Sequence, residues 1–316
     1  NNGSYFQPVR EISTLARPDK NRIRVKAAKG SMDLKFPEDI VIWTLRGQKK
    51  INIPTTDFVF VGFGINAPEY GWNDYEGIDV KGKIVVAMVN DPGFYDKDLF
   101  RGRNMTYYGR WTYKLEEAQR QGAAGALVLH NKPAASYGWN VCSTSHVNHN
   151  IGLCSDDMNA NELGFMGWLH EDAGKKLFEL SGLNFEEVTN SAKKKGFKSF
   201  TMKAKSKVTM NVLEMNVGES HNVAAVLPGT DLKDEYIVCT AHWDHLGIGT
   251  KINGDSIYNG ASDNASGTAA LMLLAKKFQQ LPFKPRRSIV FLAVTSEECG
   301  LLGSEGYCEN PLFPLS

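Results

Sequence analysis

Histidine and carboxylate side chains occur in three short clusters within the last third of the chain. His242 and Asp244 follow an apolar run, Asp263 lies among small residues, and Glu297 and Glu298 follow a second apolar run. Imidazole and carboxylate groups without a thiolate form a donor set that suits zinc or another divalent metal. The sequence therefore predicts a metal site that these five residues build together.

The elements around the clusters predict how they meet. Residues 236–241 and 288–295 are short apolar runs typical of buried strands. The segment between them has helical periodicity, with an apolar stripe formed by Leu271, Leu274, Phe278 and Leu281. Strand, helix and strand in this order form a βαβ unit with parallel strands. Ligands of open α/β sheets bind at the carboxyl ends of strands, so the three clusters should converge on one edge.

The chemistry of each group indicates its role. A carboxylate at Asp244 that accepts the second ring N–H of His242 would fix the tautomer and raise its basicity as a ligand. Asp263 could simply be a helix N-cap, but the small residues around it leave room for an ion, and we interpret it as a carboxylate bridging two metals. Of the adjacent Glu297 and Glu298, one can bind metal while the other accepts a proton from water; the residues alone leave open which does which.

A second group of possible metal ligands lies in a polar loop upstream. It consists of Cys142, His146, His149 and Cys154. Its spacing is unlike that of a standard zinc finger, so a disulfide between the two cysteines, or a plain loop, is the preferred interpretation. The sequence identifies no partner for His221 or His245.

Length and composition limit the classes of function. A chain of 316 residues predicts two domains. Its 36 basic and 35 acidic residues give a net charge of +1, which argues against a nucleic-acid partner. No apolar run approaches the roughly 20 residues that a membrane-spanning helix needs.

Upstream of the clusters the sequence predicts alternating strands and helices. Strands are expected at 40–43, 58–62, 82–89, 126–130, 208–217 and 222–229, and helices at 113–121, 170–181 and 184–195. A helical turn is expected at 10–15, and a long polar loop at 131–164.

The clusters resemble the M28 family of co-catalytic zinc peptidases. The motifs that carry the resemblance are Ala241-His242-Trp243-Asp244, the glycine-flanked segment 260–267, and Ser296-Glu297-Glu298-Cys299-Gly300-Leu301. The resemblance implies two zinc ions, with His242 as a ligand of one, Glu298 as a ligand of the other, and Asp263 between them. It also implies that Glu297 is the general base and that the Asp263–Asn264 peptide bond is cis.

The upstream half resembles a protease-associated (PA) domain, in the segments 60–65, 79–85 and 114–129. The expected fold is therefore α/β: a mixed β-sheet zinc-peptidase domain with helices on both faces, plus an inserted β-rich PA domain. The expected boundaries are 1–53 for the start of the peptidase domain, 54–205 for the PA-like insertion and 206–316 for the remaining peptidase part.

The resemblance implies a two-zinc aminopeptidase that acts on peptides. The family needs two further ligands downstream, an acidic residue and a histidine, so we expect the sequence to be part of a longer protein and predict weak zinc binding and no activity for residues 1–316 alone. Two alternatives remain: a glutaminyl-cyclase-like acyltransferase with one zinc, and a non-catalytic binding module of the same fold. Related peptidases with PA domains are often exported, so a periplasmic or secreted location is expected.

Overall fold

Strands dominate the structure, a computed structural model in which residues 3–313 are described. The strands are β1 (Phe6–Pro18), β2 (Arg22–Ala27), β3 (Gly30–Lys35), β4 (Ile40–Trp43), β5 (Lys50–Phe60), β6 (Asn66–Ala67), β7 (Trp72–Asn73), β8 (Ile84–Met88), β9 (Gly125–Leu129), β10 (Asn150–Leu153), β11 (Phe165–Leu169), β12 (Phe200–Leu227), β13 (Leu232–His242), β14 (Gly247–Ile252), β15 (Asp255–Tyr258) and β16 (Arg287–Val294). The helices are α1 (Trp111–Arg120), α2 (Lys132–Ala135), α3 (Trp139–Ser145), α4 (Glu171–Leu180), α5 (Phe185–Ala192), α6 (Ser266–Gln279) and α7 (Leu302–Glu309).

The chain folds into two units, and the expected mixed α/β fold is confirmed. Unit 1 comprises residues 1–12, 151–155 and 217–316, and unit 2 comprises 13–150 and 156–216. The expected domain boundaries after residues 53 and 205 stay a prediction, as does the PA resemblance of the segment between them.

In the part of the chain that the structure describes, every helix is too short or too polar to cross a membrane.

Four parallel strands form the centre of unit 2. They lie in the order β5, β8, β9, β11, and β4 follows at the edge, antiparallel to β11. β8, β9 and β11 are buried along their whole length, which explains why their sequences are continuous apolar runs. On the opposite side β12 pairs antiparallel with β5 and with β2. The predicted strands and helices of this unit are present, but β5 begins at Lys50 and β12 at Phe200, earlier than the predicted starts at 58 and 208.

Two predictions about local structure are wrong. The expected helical turn at 10–15 lies inside β1, where Ile12, Thr14 and Ala16 are buried at every second position. Such alternation is the period of a strand with one buried face, not of a helix. The expected loop at 131–164 contains α2, α3 and β10. Asn131 begins α2 by accepting a hydrogen bond from the Ala134 amide, 3.2 Å away.

The predicted disulfide does not form either. Cys142 is a free thiol packed in the apolar core of unit 2, where burial raises its pKa to about 12. The two histidines of the same group have partners of their own: His146 Nδ1 lies 2.7 Å from Asn150 Oδ1, and His149 Nε2 lies 3.1 Å from Glu214 Oε2. The group therefore does not build a structural zinc site.

In unit 1 the predicted βαβ arrangement is confirmed. β13 and β16 pair in parallel with His242 opposite Val294, and α6 connects them in the chain. β16 also pairs antiparallel with residues 223–227 of β12. Because β13 and β16 run in the same direction, the residues that follow their last positions lie at the same edge.

The packing face of α6 differs from the predicted stripe. Leu271 is buried with Ile289 and Phe291 of β16, and Ala275 and Phe278 pack against the same cluster. Leu274 is 41% exposed, because the face set by Leu271, Ala275 and Phe278 follows the i, i+4, i+7 spacing and leaves it on the flank.

Candidate metal centre

His242 is the last residue of β13 and one of the few buried polar side chains of unit 1. Its ring Nε2 lies 2.9 Å from Asp263 Oδ1 and 3.6 Å from Glu297 Oε2. Its Nδ1 lies 3.1 Å from the backbone carbonyl oxygen of Asp244. Burial acts to lower the pKa of His242, but the Asp244 carbonyl and the nearby carboxylates outweigh it, so the pKa is raised.

Asp263 lies in the turn that leads into α6, and its side chain is 72% exposed. The Asp263–Asn264 peptide bond is cis, as the family resemblance implied. Asn264 Oδ1 accepts a hydrogen bond from the Gly267 amide, 3.0 Å away, in the first turn of the helix. The Asn264 side chain therefore stabilises the first turn of α6, while the neighbouring Asp263 carboxylate contacts His242.

Glu297 and Glu298 follow β16, and Asp244 fixes their backbone. Its Oδ1 accepts a hydrogen bond from the Glu297 amide at 3.0 Å, and its Oδ2 accepts one from the Glu298 amide at 3.2 Å. The sequence predicted instead that this carboxylate accepts the second ring N–H of His242. In the structure the nearer carboxylate oxygen is 3.7 Å from His242 Nδ1, because the carboxylate is engaged by the two amides.

Negative charge dominates the cluster formed by His242, Asp244, Asp263, Glu297 and Glu298. One oxygen from each glutamate and one ring nitrogen of His242 lie within 4.8 Å of one another. Among the ion pairs of residues 3–313, these four carboxylates pair only with histidines, never with lysine or arginine. Several carboxylates around one imidazole form an electrostatically unbalanced site that a divalent cation would neutralise. The donor set therefore fits zinc.

Two residues of the site have partners that the sequence did not identify. His245 Nδ1 lies 2.7 Å from Glu298 Oε1. Asn222 is fully buried, its Oδ1 accepts from the Thr295 amide at 3.0 Å, and its Nδ2 donates to the Gly303 carbonyl at 2.8 Å. Asn222 thereby ties the end of β16 to α7, on either side of the glutamate pair. The available signal for Asn222 is a polar side chain at the first position of a predicted strand.

Comparison with known protein families gives a match for the segment that contains this cluster. The sequence model of Peptidase family M28 matches residues 222–315. Over these residues the chain is similar to peptidase family M28. The matched segment begins at Asn222 and contains His242, Asp263 and both glutamates.

Each individual relative also matches only a limited stretch of this chain. Aminopeptidase NAALADL1 of Mus musculus is 33% identical over 122 residues, which are 37% of this chain and 15% of the mouse protein. A probable zinc metalloprotease of Pyrenophora teres f. teres is 36% identical over 89 residues, 28% of this chain and 18% of that protein. Probable glutamate carboxypeptidase LAMP1 of Arabidopsis thaliana is 33% identical over 106 residues, 33% of this chain and 14% of that protein.

Among solved structures, an aminopeptidase from Aneurinibacillus sp. strain AM-1 aligns with 96% of this chain and 55% of its own, at 21% identity and a TM-score of 0.39. The chain thus spans about half the length of that solved structure. The matched segments are a small part of each curated relative, from 14% to 18%.

The hydrogen bonds that Asp244 accepts predict how much it contributes to metal binding by residues 222–315. Replacing Asp244 by alanine removes the acceptor of both amides and frees the glutamate turn, so zinc affinity should fall by about 10- to 100-fold. Asp244→Asn keeps one acceptor oxygen and should lose less. Competition with a chromophoric chelator measures both affinities. Equal affinity in the alanine variant and the unchanged protein would show that the turn holds its shape without Asp244.

Proposed function

We propose that the protein is a metal-dependent peptidase, and that it is a two-zinc aminopeptidase that removes N-terminal residues from peptides. The observation that carries the proposal is the meeting of one imidazole with several carboxylates that no lysine or arginine neutralises within the described residues. The family match over the same residues and the names of the relatives support it.

His242, Asp263 and Glu298 are the proposed zinc ligands. Asp263 Oδ1 lies 2.9 Å from His242 Nε2. Glu298 contributes an oxygen that lies within 4.8 Å of a ring nitrogen of His242 and of an oxygen of Glu297. In this assignment these three side chains would hold the metal. Bound zinc supplies Lewis-acid polarisation of the scissile carbonyl and stabilises the developing oxyanion.

Glu297 is the proposed general base. Its carboxylate oxygen Oε2 lies 3.6 Å from His242 Nε2, and its backbone amide donates to Asp244. A carboxylate in this position accepts a proton from the attacking water and later delivers it to the leaving amine. Asp244 acts on the reaction only through the positions of the other groups.

A pair of blocked peptides tests the type of exopeptidase in the full-length protein. A peptide with a free N-terminus and an amidated C-terminus should be hydrolysed, and its N-acetylated counterpart should not. Removal of metal by a chelator should abolish hydrolysis, and added zinc should restore it. Release of the C-terminal residue from the N-acetylated peptide would instead indicate a carboxypeptidase, the activity named for the Arabidopsis relative. Hydrolysis that persists after complete metal removal would contradict the proposal altogether.

A further inference from the structure

The side chain of His245 contacts a proposed zinc ligand although it is not part of the proposed ligand set. Its ring Nδ1 lies 2.7 Å from Glu298 Oε1, and the two side chains are 23% and 21% exposed. An ionised carboxylate only accepts hydrogen bonds, so the ring nitrogen at this distance carries the proton and donates it. We propose that His245 is a positioning residue that holds one oxygen of Glu298 and thereby directs the other toward the metal. The inference rests on the proposed function.

Asp244 and His245, two consecutive residues that follow β13, hold Glu298 at two points. Its backbone amide donates to Asp244 Oδ2 at 3.2 Å, and its side chain accepts from His245. The backbone contact alone leaves the side chain free to rotate about its three χ angles. The contact with His245 selects among these rotamers, and ordering before binding reduces the entropy that metal binding must overcome.

The ring of His245 packs against the turn that carries Asp263. A Cβ atom at Gly260 would approach His245 Cγ to 2.7 Å and Cβ to 2.9 Å, closer than side-chain atoms come in practice. Gly260 also has φ +63°, a conformation that disfavours other residues. The ring therefore lies directly over the backbone at the start of the Asp263 turn. By touching this turn on one side and Glu298 on the other, His245 sets the spacing between two proposed ligands.

This geometry distinguishes the two nitrogens of the ring. An asparagine at position 245 can place its amide nitrogen near the position of Nδ1, whereas a glutamine places its amide nearer the position of Nε2. Only the asparagine can restore the contact with Glu298. His245→Gln should therefore weaken zinc binding by about 10- to 100-fold, the usual cost of losing a partner of a ligand, and His245→Asn should stay within about 3-fold of the unchanged protein.

Zinc affinity of the full-length protein by chelator competition, and the visible spectrum of its cobalt-substituted form, provide readouts that do not depend on turnover. A matched control is His221→Gln, because the His221 side chain pairs with Glu219 at 3.3 Å, outside the cluster, and its loss should leave affinity unchanged. Far-UV circular dichroism checks that each variant is folded. Affinity of His245→Gln equal to that of the unchanged protein would overturn the proposal. Equal losses in the asparagine and glutamine variants would also overturn it, because they would indicate a direct ligand rather than a positioning residue.

His242→Ala in the same assay separates failure of this inference from failure of the proposed function. If the proposed function is correct and the inference wrong, His242→Ala loses zinc while His245→Gln retains it. If the proposed function is wrong, zinc affinity is the same with and without His242, or the unchanged protein binds no zinc, and both proposals fall together.

Discussion

Replacing Glu297 by glutamine should lower turnover by about 10²- to 10⁴-fold in the full-length protein, the range contributed by a positioned general base, while zinc content stays the same. Glutamine has nearly the size of glutamate, so the turn that Asp244 fixes through the Glu297 amide is retained. Its amide cannot accept a proton from water as a carboxylate does. The loss should appear in kcat more than in KM, because the base acts in the transition state.

Glu298→Gln is the matched control for this substitution. The two glutamates are adjacent and both amides donate to Asp244, so the two variants differ only in the side chain that is changed. Loss of a ligand should reduce zinc content, which the Glu297 variant should keep. Metal analysis and steady-state kinetics on both variants decide the assignment. Zinc loss in Glu297→Gln with retention in Glu298→Gln would exchange the two roles, and unchanged turnover in Glu297→Gln would remove it from the mechanism.

The parts of the site that the sequence predicted are those set by position along strands. The apolar runs at 236–241 and 288–295 predict two strands whose following polar residues share one edge, and β13 and β16 pair in parallel as expected. Only β16 is a buried strand, however, because Ile237 and Val238 of β13 are 50% and 47% exposed. Knowledge of which residue types follow those strands is enough to expect a metal site there. The family resemblance adds the assignment of Glu297 and Glu298, which their identical side chains cannot provide.

The parts that the sequence did not predict depend on contacts across long separations. Glu298 lies 53 residues after His245, and only the folded chain shows that the two side chains meet. The carbonyl of Asp244, rather than its carboxylate, lies against the His242 ring because two amides compete for the carboxylate. Small differences in distance decide which group accepts each hydrogen bond, and the spacing of residues in the sequence does not contain that information.

Errors in local structure have a different cause. The segment 10–15 mixes charged and apolar residues, and alternation over so few positions is compatible with the period of a helix or of a strand. Pairing within a sheet resolves the choice in favour of the strand. β11 follows directly on a polar segment and contains a glycine, so its apolar run is too short to stand out, yet it lies between β9 and β4 and is fully buried.

Replacing Lys114 by methionine should lower the free energy of unfolding by about 1–3 kcal/mol, the usual cost of leaving a buried acceptor without its hydrogen-bond donor. Lys114 is 1% exposed on α1, and its Nζ donates to the Tyr108 carbonyl in the interior of unit 2. Asp74 is 3% exposed and accepts from Trp72 Nε1 at 2.9 Å and from the Ile65 amide at 3.0 Å.

Each of these two groups changes the protonation of the other. Burial raises the pKa of Asp74 to about 7, and the Ile65 amide and the Lys114 charge oppose the rise. Burial lowers the pKa of Lys114 to about 7, against the attraction of Asp74 and Asp91. Without the lysine charge, the folded protein must hold Asp74 protonated or bury an uncompensated carboxylate.

The pH dependence of the Lys114→Met effect follows from the raised pKa of Asp74. A carboxyl group whose pKa is higher in the folded state binds its proton more tightly there, so its contribution to stability is present at low pH and is lost as pH rises toward that pKa. At pH 5 Asp74 is largely protonated in the folded protein, so the loss of Lys114 should cost less than at pH 7, where both groups carry part of their charge. Urea unfolding at the two pH values measures the difference.

Two further variants identify the cause of the loss. Asp74→Asn combined with Lys114→Met removes both charges while keeping an acceptor for the Trp72 ring N–H, so it should recover part of the stability.

Lys176→Met is the matched control, because Lys176 also lies on a helix but its side chain is 51% exposed and pairs with Glu179 in solvent. It should unfold at the same urea concentration as the unchanged protein. If Lys114→Met and Lys176→Met unfold alike, the charge on Lys114 does not stabilise unit 2. If the loss is the same at pH 5 and pH 7, it comes from the hydrogen bond to Tyr108 and the packing of the side chain rather than from its charge.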